Sequence, residues 1–206
     1  TNPNCSTTGL VLALKPLVDA FGLEAAHVVT LQAASGAGYP GVPSLDLLDN
    51  VIPYINGEEE KLETEPNKIL GNYQDAAVVN RAISISASCN RVAVVDGHVE
   101  CVSVRLRDKP SLDEIIHAWE DFTGVPQELE LPTAPLRPIH YFDEPYFPQP
   151  RLHRELEGGM AVSVGRLRPC QLLDYKFVAL VHNTMRGAAG GALLNAELMA
   201  RQGLLV

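Results

Sequence analysis

Apolar positions along this chain switch repeatedly between helical and extended spacing. Leu10, Leu14, Leu17, Val18 and Phe21 recur at helical intervals and predict a helix over residues 5–21. Pro16 inside it predicts a kink or a late start. Residues 27–34 read as a buried strand, and Ser35 to Pro43 as a Gly/Pro loop. Glu58 to Leu70 carries a helical pattern despite Pro66. Over residues 80–107 the period becomes two: Ile83, Ile85 and Ala87 alternate with Ser84, Ser86 and Ser88. Val92, Val94, Val99, Val102 and Val104 continue the strand signal, with Asp96-Gly97 as a turn or bulge. Ser111 and Glu114 form a capping box for a helix reaching about Phe122. Residues 125–150 hold seven prolines and read as a long loop covering a surface or an interface. Residues 160–167 and 172–181 read as strands, and 184–202 as a final helix rich in Ala and Gly.

The strands neighbour one another in sequence too often for strict βαβ winding. The expected fold class is α+β: one mixed, largely antiparallel sheet with helices on one face. The other face is free to pair with a second copy. No GxGxxG follows a strand, so no dinucleotide-binding unit of that kind is expected within these residues.

Composition narrows the function classes. The 206 residues are 46% hydrophobic and 20% charged, an ordinary globular balance. Lys and Arg number 16 against 25 Asp and Glu, a formal charge of −9. A nucleic-acid or anionic-membrane binder needs a broad basic face, and the cations for one are missing. Small anions stay possible as ligands, because two or three local cations suffice. Cys5, Cys89, Cys101 and Cys170 form no CxxC or metal-knuckle spacing, so no metal is expected and a reducing, cytoplasmic setting is. The sequence opens at Thr1, without Met, which reads as a processed chain or a piece of a longer protein.

A few residues carry candidate chemistry. Cys5 stands where a helix begins, and unpaired N–H groups there favour a thiolate; a buried, inert thiol is the plainer alternative. His98 follows Gly97 beside a turn, and a lone His is more often structural than catalytic. Arg91 precedes it by seven residues, a distance that spans an extended strand and would let both reach one cleft from opposite ends. An Arg fork suits carboxylate or phosphate, although a solvated Arg is the commoner case. Glu65 and Lys68 share a helix face and read equally as a surface ion pair. Gln32 ends a buried strand and needs a partner or a ligand. Thr1 as an N-terminal nucleophile is disfavoured, because Asn2-Pro3-Asn4 is not strand sequence.

Taken in order, Asn4-Cys5-Ser6-Thr7-Thr8, Gln32-Ala33-Ala34-Ser35-Gly36-Ala37-Gly38, Glu65-Pro66-Asn67-Lys68-Ile69-Leu70, then Arg91 and His98, closely resemble the aspartate-semialdehyde dehydrogenase family. Asn183-Thr184-Met185-Arg186-Gly187-Ala188-Ala189-Gly190-Gly191 resembles its fungal and archaeal branch. The resemblance implies a fold like the C-terminal domain of the glyceraldehyde-3-phosphate dehydrogenase-like group. It implies NADPH-dependent reductive dephosphorylation of β-aspartyl phosphate through a cysteine thioester, in the aspartate pathway to lysine, threonine and methionine.

The roles it implies are Cys5 as nucleophile, His98 as acid/base, and Gln32 as the residue orienting the acyl group. Arg91 would meet the substrate carboxylate, Glu65 its ammonium and Lys68 its phosphate. Ser35, Gly36 and Ala37 would lie near the nicotinamide of NADP, and Asn183 would reach the cofactor. Family members carry a dinucleotide-binding domain before the Cys motif. Residues 1–206 are therefore expected to be the catalytic and dimerisation domain, inactive alone, with helix 184–202 packing toward the missing part. A homodimer or tetramer is expected, through the Ser-rich strand 80–88 and the Pro-rich stretch 125–150. Malonyl-CoA reductases share the thioester logic but have no substrate amino group for Glu65. A non-catalytic dimerisation module is the other alternative.

Overall fold

The computed structural model describes residues 2–205. Thr1, on which the N-terminal-nucleophile reading rests, lies outside them. The chain runs α1 (Cys5–Phe21), β1 (Leu23–Gln32), a 3-10 turn (Ala34–Ala37), α2 (Ser44–Leu47) and α3 (Glu58–Ile69). A small hairpin, β2 (Asn72–Gln74) and β3 (Ala77–Val79), precedes β4 (Ser84–Arg91), β5 (His98–Leu106) and α4 (Leu112–Glu120). Then come α5 (Val125–Glu128), β6 (Ile139–Phe142), α6 (Pro150–His153), β7 (Val162–Pro169), β8 (Tyr175–Val181), a π turn (Met185–Ala189) and α7 (Gly190–Arg201). Among the described residues no helix is long and apolar enough to cross a membrane.

Six strands form one sheet in the order β4-β1-β5-β8-β7-β6. The outer pairs, β1 with β4 and β6 with β7, are parallel; the inner pairs are antiparallel. The sheet is thus mixed and mostly antiparallel, as its sequence pattern implies. Alternate side chains point to opposite faces. Val28, Val102, Val104, Phe177, Ala179 and Val164 bury against α1, α3 and α4 in one core. Trp119 of α4 lies in it, stacks edge-on against Phe177 and donates from Nε1 to the Ala13 carbonyl at 2.9 Å. The opposite face stays open over β4, β1 and β5: Ser84, Ser86, Ser88, His27 and Cys101 are exposed, and Val29, Leu31 and Val99 half-buried.

β4 is an edge strand, and α3 closes it. Glu59 and Glu63 accept the N–H groups of Cys89 and Ala87, each at 3.0 Å. Asn67 exchanges both hydrogen bonds with the backbone of Ile83. These three residues sit at successive turns of one helix face, so side-chain acceptors replace the missing neighbour strand.

Several boundaries differ from the sequence reading. β1 begins at Leu23 and ends at Gln32. Val92 and Val94 belong to the turn between β4 and β5, where Val92 donates to the Gln32 carbonyl at the end of β1 and Val94 accepts the Ala34 N–H. The stretch 125–150 is not one loop: it contains β6. Its first half packs Leu131 with Met160 and with Leu194 of α7, and its second half sets Phe147 against Phe142, with His153 of α6 against both. The final helix starts only at Gly190, after the π turn.

Candidate active site

Cys5 is the first residue of α1, and Asn4 is its N-cap. Asn4 Oδ1 accepts the N–H groups of Ser6 and Thr7 at 2.9 and 3.1 Å. That cap occupies two helix donors expected to be free for an anion. The Cys5 N–H is the first-turn donor left without a partner among the described residues. Asn4 is itself gripped by α3. Glu65 Oε2 accepts the Asn4 N–H at 2.9 Å, and both oxygens of Glu58 accept from Asn4 Nδ2, at 2.8 and 2.7 Å. Glu58 and Glu65 stand two helical turns apart on one face of α3.

The second half of the site is the end of the sheet. Gln32 pairs in register with Arg91, and His98 lies one position beyond the Leu31–Val99 pair. Three adjacent strands therefore bring Arg91, Gln32 and His98 to one level, buried and facing α1. The seven-residue spacing is a turn from β4 to β5, not a strand length, so Arg91 and His98 reach the same end of the sheet, one on each side of Gln32, rather than opposite ends. Cys5 Sγ lies 3.3 Å from His98 Nε2. The Ala33 N–H donates to His98 Nδ1 at 3.0 Å, and Arg91 Nη1 donates to the Ala33 carbonyl at 2.8 Å.

That geometry fixes the imidazole. Nδ1 accepts a backbone N–H, so the ring proton of neutral His98 sits on Nε2 and points at the sulfur. His98 is a hydrogen-bond donor to Cys5. Accepting the thiol proton would require it to give up the bond from Ala33.

Two glycines allow this packing. A Cβ on Gly36 would meet Arg91 Nη1 at 2.6 Å and His98 Cε1 at 2.9 Å, so the Ala34–Ala37 turn lies directly over both side chains. A Cβ on Gly187 would meet that of Cys5 at 2.7 Å, which seats the π turn behind the thiol. Asn183 ties the periphery together: its Nδ2 donates to Ser35 Oγ, and its Oδ1 accepts the Gly97 N–H, each at 2.8 Å.

Burial dominates the electrostatics. Desolvation, then the Glu58 carboxylate, pushes the Cys5 thiol up to about 11; the Ser6 N–H facing the sulfur pulls the other way and loses. The expectation that the helix start lowers this pKa fails for that reason. Burial, then the Arg91 charge, drives His98 down to about 3, far from the near-neutral value of a free-running acid/base. Burial also lowers the Arg91 guanidinium, against the pull of Glu58.

Cys5, Gln32, Arg91 and His98 converge. Glu65 and Lys68 line an adjoining cleft of about 420 Å³ with Asn2, Pro3, Ile69 and Val78. Glu65 of this cleft also accepts the N–H of Asn4, the residue before Cys5. Two residues escape the sequence reading. Glu58 is hidden in the run Glu58-Glu59-Glu60, which reads as a solvated helix start. Glu100 sits two positions after His98 on the same face of β5; it is fully buried, and burial raises its carboxyl well above the usual range.

A family model described as the dimerisation domain of semialdehyde dehydrogenase matches residues 14–186. The chain belongs to the semialdehyde dehydrogenase dimerisation-domain family. Aspartate-semialdehyde dehydrogenase from Methanothermobacter thermautotrophicus is 50% identical over 201 residues, covering 97% of this chain and 58% of that protein. The Schizosaccharomyces pombe enzyme is 49% identical over 217 residues, covering the whole chain and 59% of its own length. The aspartate-semialdehyde dehydrogenase of Candida albicans, solved with NADP, superposes with a TM-score of 0.90 at 44% identity, over 98% of this chain and 57% of that one. This dimerisation-domain chain thus spans under two thirds of the length of the relatives it matches.

The thiol electrostatics are directly measurable. Alkylation of Cys5 by iodoacetamide, with the site free of ligand, is expected to accelerate toward about pH 11 without a plateau near neutrality. A plateau below pH 8 would mean that the sulfur is already anionic and that burial does not control it.

Proposed function

We propose that this chain forms the acyl-transfer and dimerisation part of an NADP-dependent aspartate-semialdehyde dehydrogenase. The observation that carries the reading is the Cys5 Sγ–His98 Nε2 contact of 3.3 Å, made at the strand ends that also present Arg91 and Gln32. In the reductive direction the Cys5 sulfur attacks the acyl carbon of β-aspartyl phosphate. The C–S bond forms, the C–O bond to phosphate breaks, and phosphate leaves with the electron pair, giving a thioester on Cys5.

The chain's own groups serve distinct ends of that chemistry. His98 presents its Nε2 proton first to the sulfur, favouring its anionic form, and then to the oxygen that gains charge at the acyl carbon. The unpaired Cys5 N–H is the helix donor available to the same oxygen. The thiol proton needs an acceptor other than His98, and phosphate oxygens arriving with the substrate provide one. Arg91 meets the substrate carboxylate. Glu65 keeps Oε1 for the ammonium while Oε2 holds Asn4, and Lys68 meets the phosphate.

The turn Ala34–Ala37 fits the flat end of a nicotinamide nucleotide. Gly36 and Ala37 are exposed and small, Gly36 lies over Arg91 and His98, and Asn183 fixes Ser35 Oγ. When bound, that cofactor supplies the hydride in one direction and takes it in the other. Its phosphates find no Gly-rich strand–helix turn in these residues, so their binding falls to protein outside the matched region. Residues 1–206 alone are accordingly expected to turn over little or nothing.

The open sheet face is the proposed homodimer contact, in a dimer or a tetramer built from dimers. Small and half-buried residues there leave β4, β1 and β5 accessible to a second copy, in keeping with a dimerisation domain. Four free cysteines are compatible with a cytoplasmic setting.

The test uses the full-length protein with L-aspartate β-semialdehyde, phosphate and NADP, and separately with malonyl-CoA and NADPH. Turnover is expected with the first set alone, falling to background in Cys5→Ser. Turnover that favours malonyl-CoA, or that survives Cys5→Ser, would overturn the reading. For the interface, Val29→Asp is expected to convert the dimer to monomer in sedimentation velocity; an unchanged dimer places the contact elsewhere.

A further inference from the structure

We propose that Glu58 is a positioning residue that sets both the sulfur of Cys5 and the amide of Gln32. Its carboxylate is almost wholly buried at the first turn of α3 and accepts four hydrogen bonds. Two come from Asn4 Nδ2, at 2.8 and 2.7 Å. One comes from Gln32 Nε2 at 3.1 Å, and one from Lys61 Nζ at 3.2 Å. One side chain therefore links the start of α3, the cap of the nucleophile's helix and the end of β1.

The consequence for Gln32 follows from donor and acceptor types. An ionised carboxylate only accepts, so the NH₂ of Gln32 must face Glu58. Its second hydrogen is directed to Thr30 Oγ1, 3.4 Å away. Both amide hydrogens are then occupied, and Gln32 offers the substrate its carbonyl oxygen. Gln32 acts as an acceptor, suited to an N–H or ammonium group, and not as a donor to the acyl oxygen. For Cys5 the consequence is steric and electrostatic. Glu58 holds the Asn4 side chain whose Oδ1 caps α1, and it keeps a negative charge near the thiol. The resting sulfur is thereby held in place, and the Glu58 charge adds to burial in pushing its pKa up. Glu65 completes the grip on Asn4 through the backbone N–H.

This inference rests on the thioester reading of the site, and its test separates the two. The full-length protein is compared with its Glu58→Gln and Glu58→Asp variants, each checked for folding by thermal melting. Glu58→Gln keeps size and removes charge. Its Cys5 alkylation profile is expected to move to lower pH, while kcat falls roughly tenfold or more as hydrogen bonds to a charged acceptor are lost. Glu58→Asp keeps the charge and shortens its reach; it is expected to retain the high alkylation midpoint and still lose kcat. Combining Glu58→Gln with Gln32→Ala is expected to cost less than the sum of the two single losses, because both act through one hydrogen bond. An unmoved alkylation profile in a folded Glu58→Gln protein, a wild-type kcat, or strict additivity would each overturn the proposal. Absence of dehydrogenase turnover in the wild type overturns the thioester reading instead, and the alkylation profiles still decide the role of Glu58 at Cys5.

Discussion

The hydrogen bond from the Ala33 N–H to His98 Nδ1 is the constraint on which the site depends. It joins the chain leaving β1 to the first residue of β5, and it decides which nitrogen of the imidazole faces the sulfur. The sheet makes that bond available: β1 lies between β4 and β5, so Arg91, Gln32 and His98 arrive at one level, and the backbone just past Gln32 passes between the two flanking side chains. The Ala33 carbonyl binds Arg91 while its N–H binds His98. One peptide segment thus fixes a guanidinium and an imidazole at once.

Opposed to this rigid sheet end is a helix start that is equally restrained. Two carboxylates of α3 hold Asn4, and Asn4 holds the first turn of α1. The arrangement gains position at the cost of solvation. In water a thiol beside a helix N-terminus ionises more easily. Here the loss of water around Cys5 and the charge of Glu58 outweigh the helix, and the thiol rests protonated. The same burial keeps His98 neutral, and the positive charge of Arg91 reinforces it. The resting pair is a thiol facing a neutral donor, not an ion pair, which suits a nucleophile that has to stay unreactive until an activated acid arrives.

Much of the fold was legible in the sequence. The apolar period of α1, the Ser111–Glu114 capping box and the alternation in β4 and β5 each follow from one local physical rule. The misses have physical causes too. β6 is short and follows Pro138, and seven prolines mask its extended character. The β2–β3 hairpin turns at Asp75-Ala76, both at positive φ, with none of the glycine that usually marks such a turn. Val92 and Val94 are strand-like residues yet lie in a turn, where they bond across to the end of β1 and the residues just after it. At the site, the residues of separated motifs could be named from the sequence, and Cys5, Gln32, Arg91 and His98 do meet. Glu58 could not be named, since three consecutive glutamates look alike until the fold points one inward and sets its neighbour against β4. The ionisation states were also out of reach, because burial, not residue type, determines them.

The most direct measurement is the ¹⁵N NMR of the His98 ring in the protein without ligand, followed from pH 5 to pH 9. The expected result is one neutral tautomer throughout, with the proton on Nε2 and Nδ1 acting as acceptor. A ring that titrates near neutrality, or that carries its proton on Nδ1, would contradict the account.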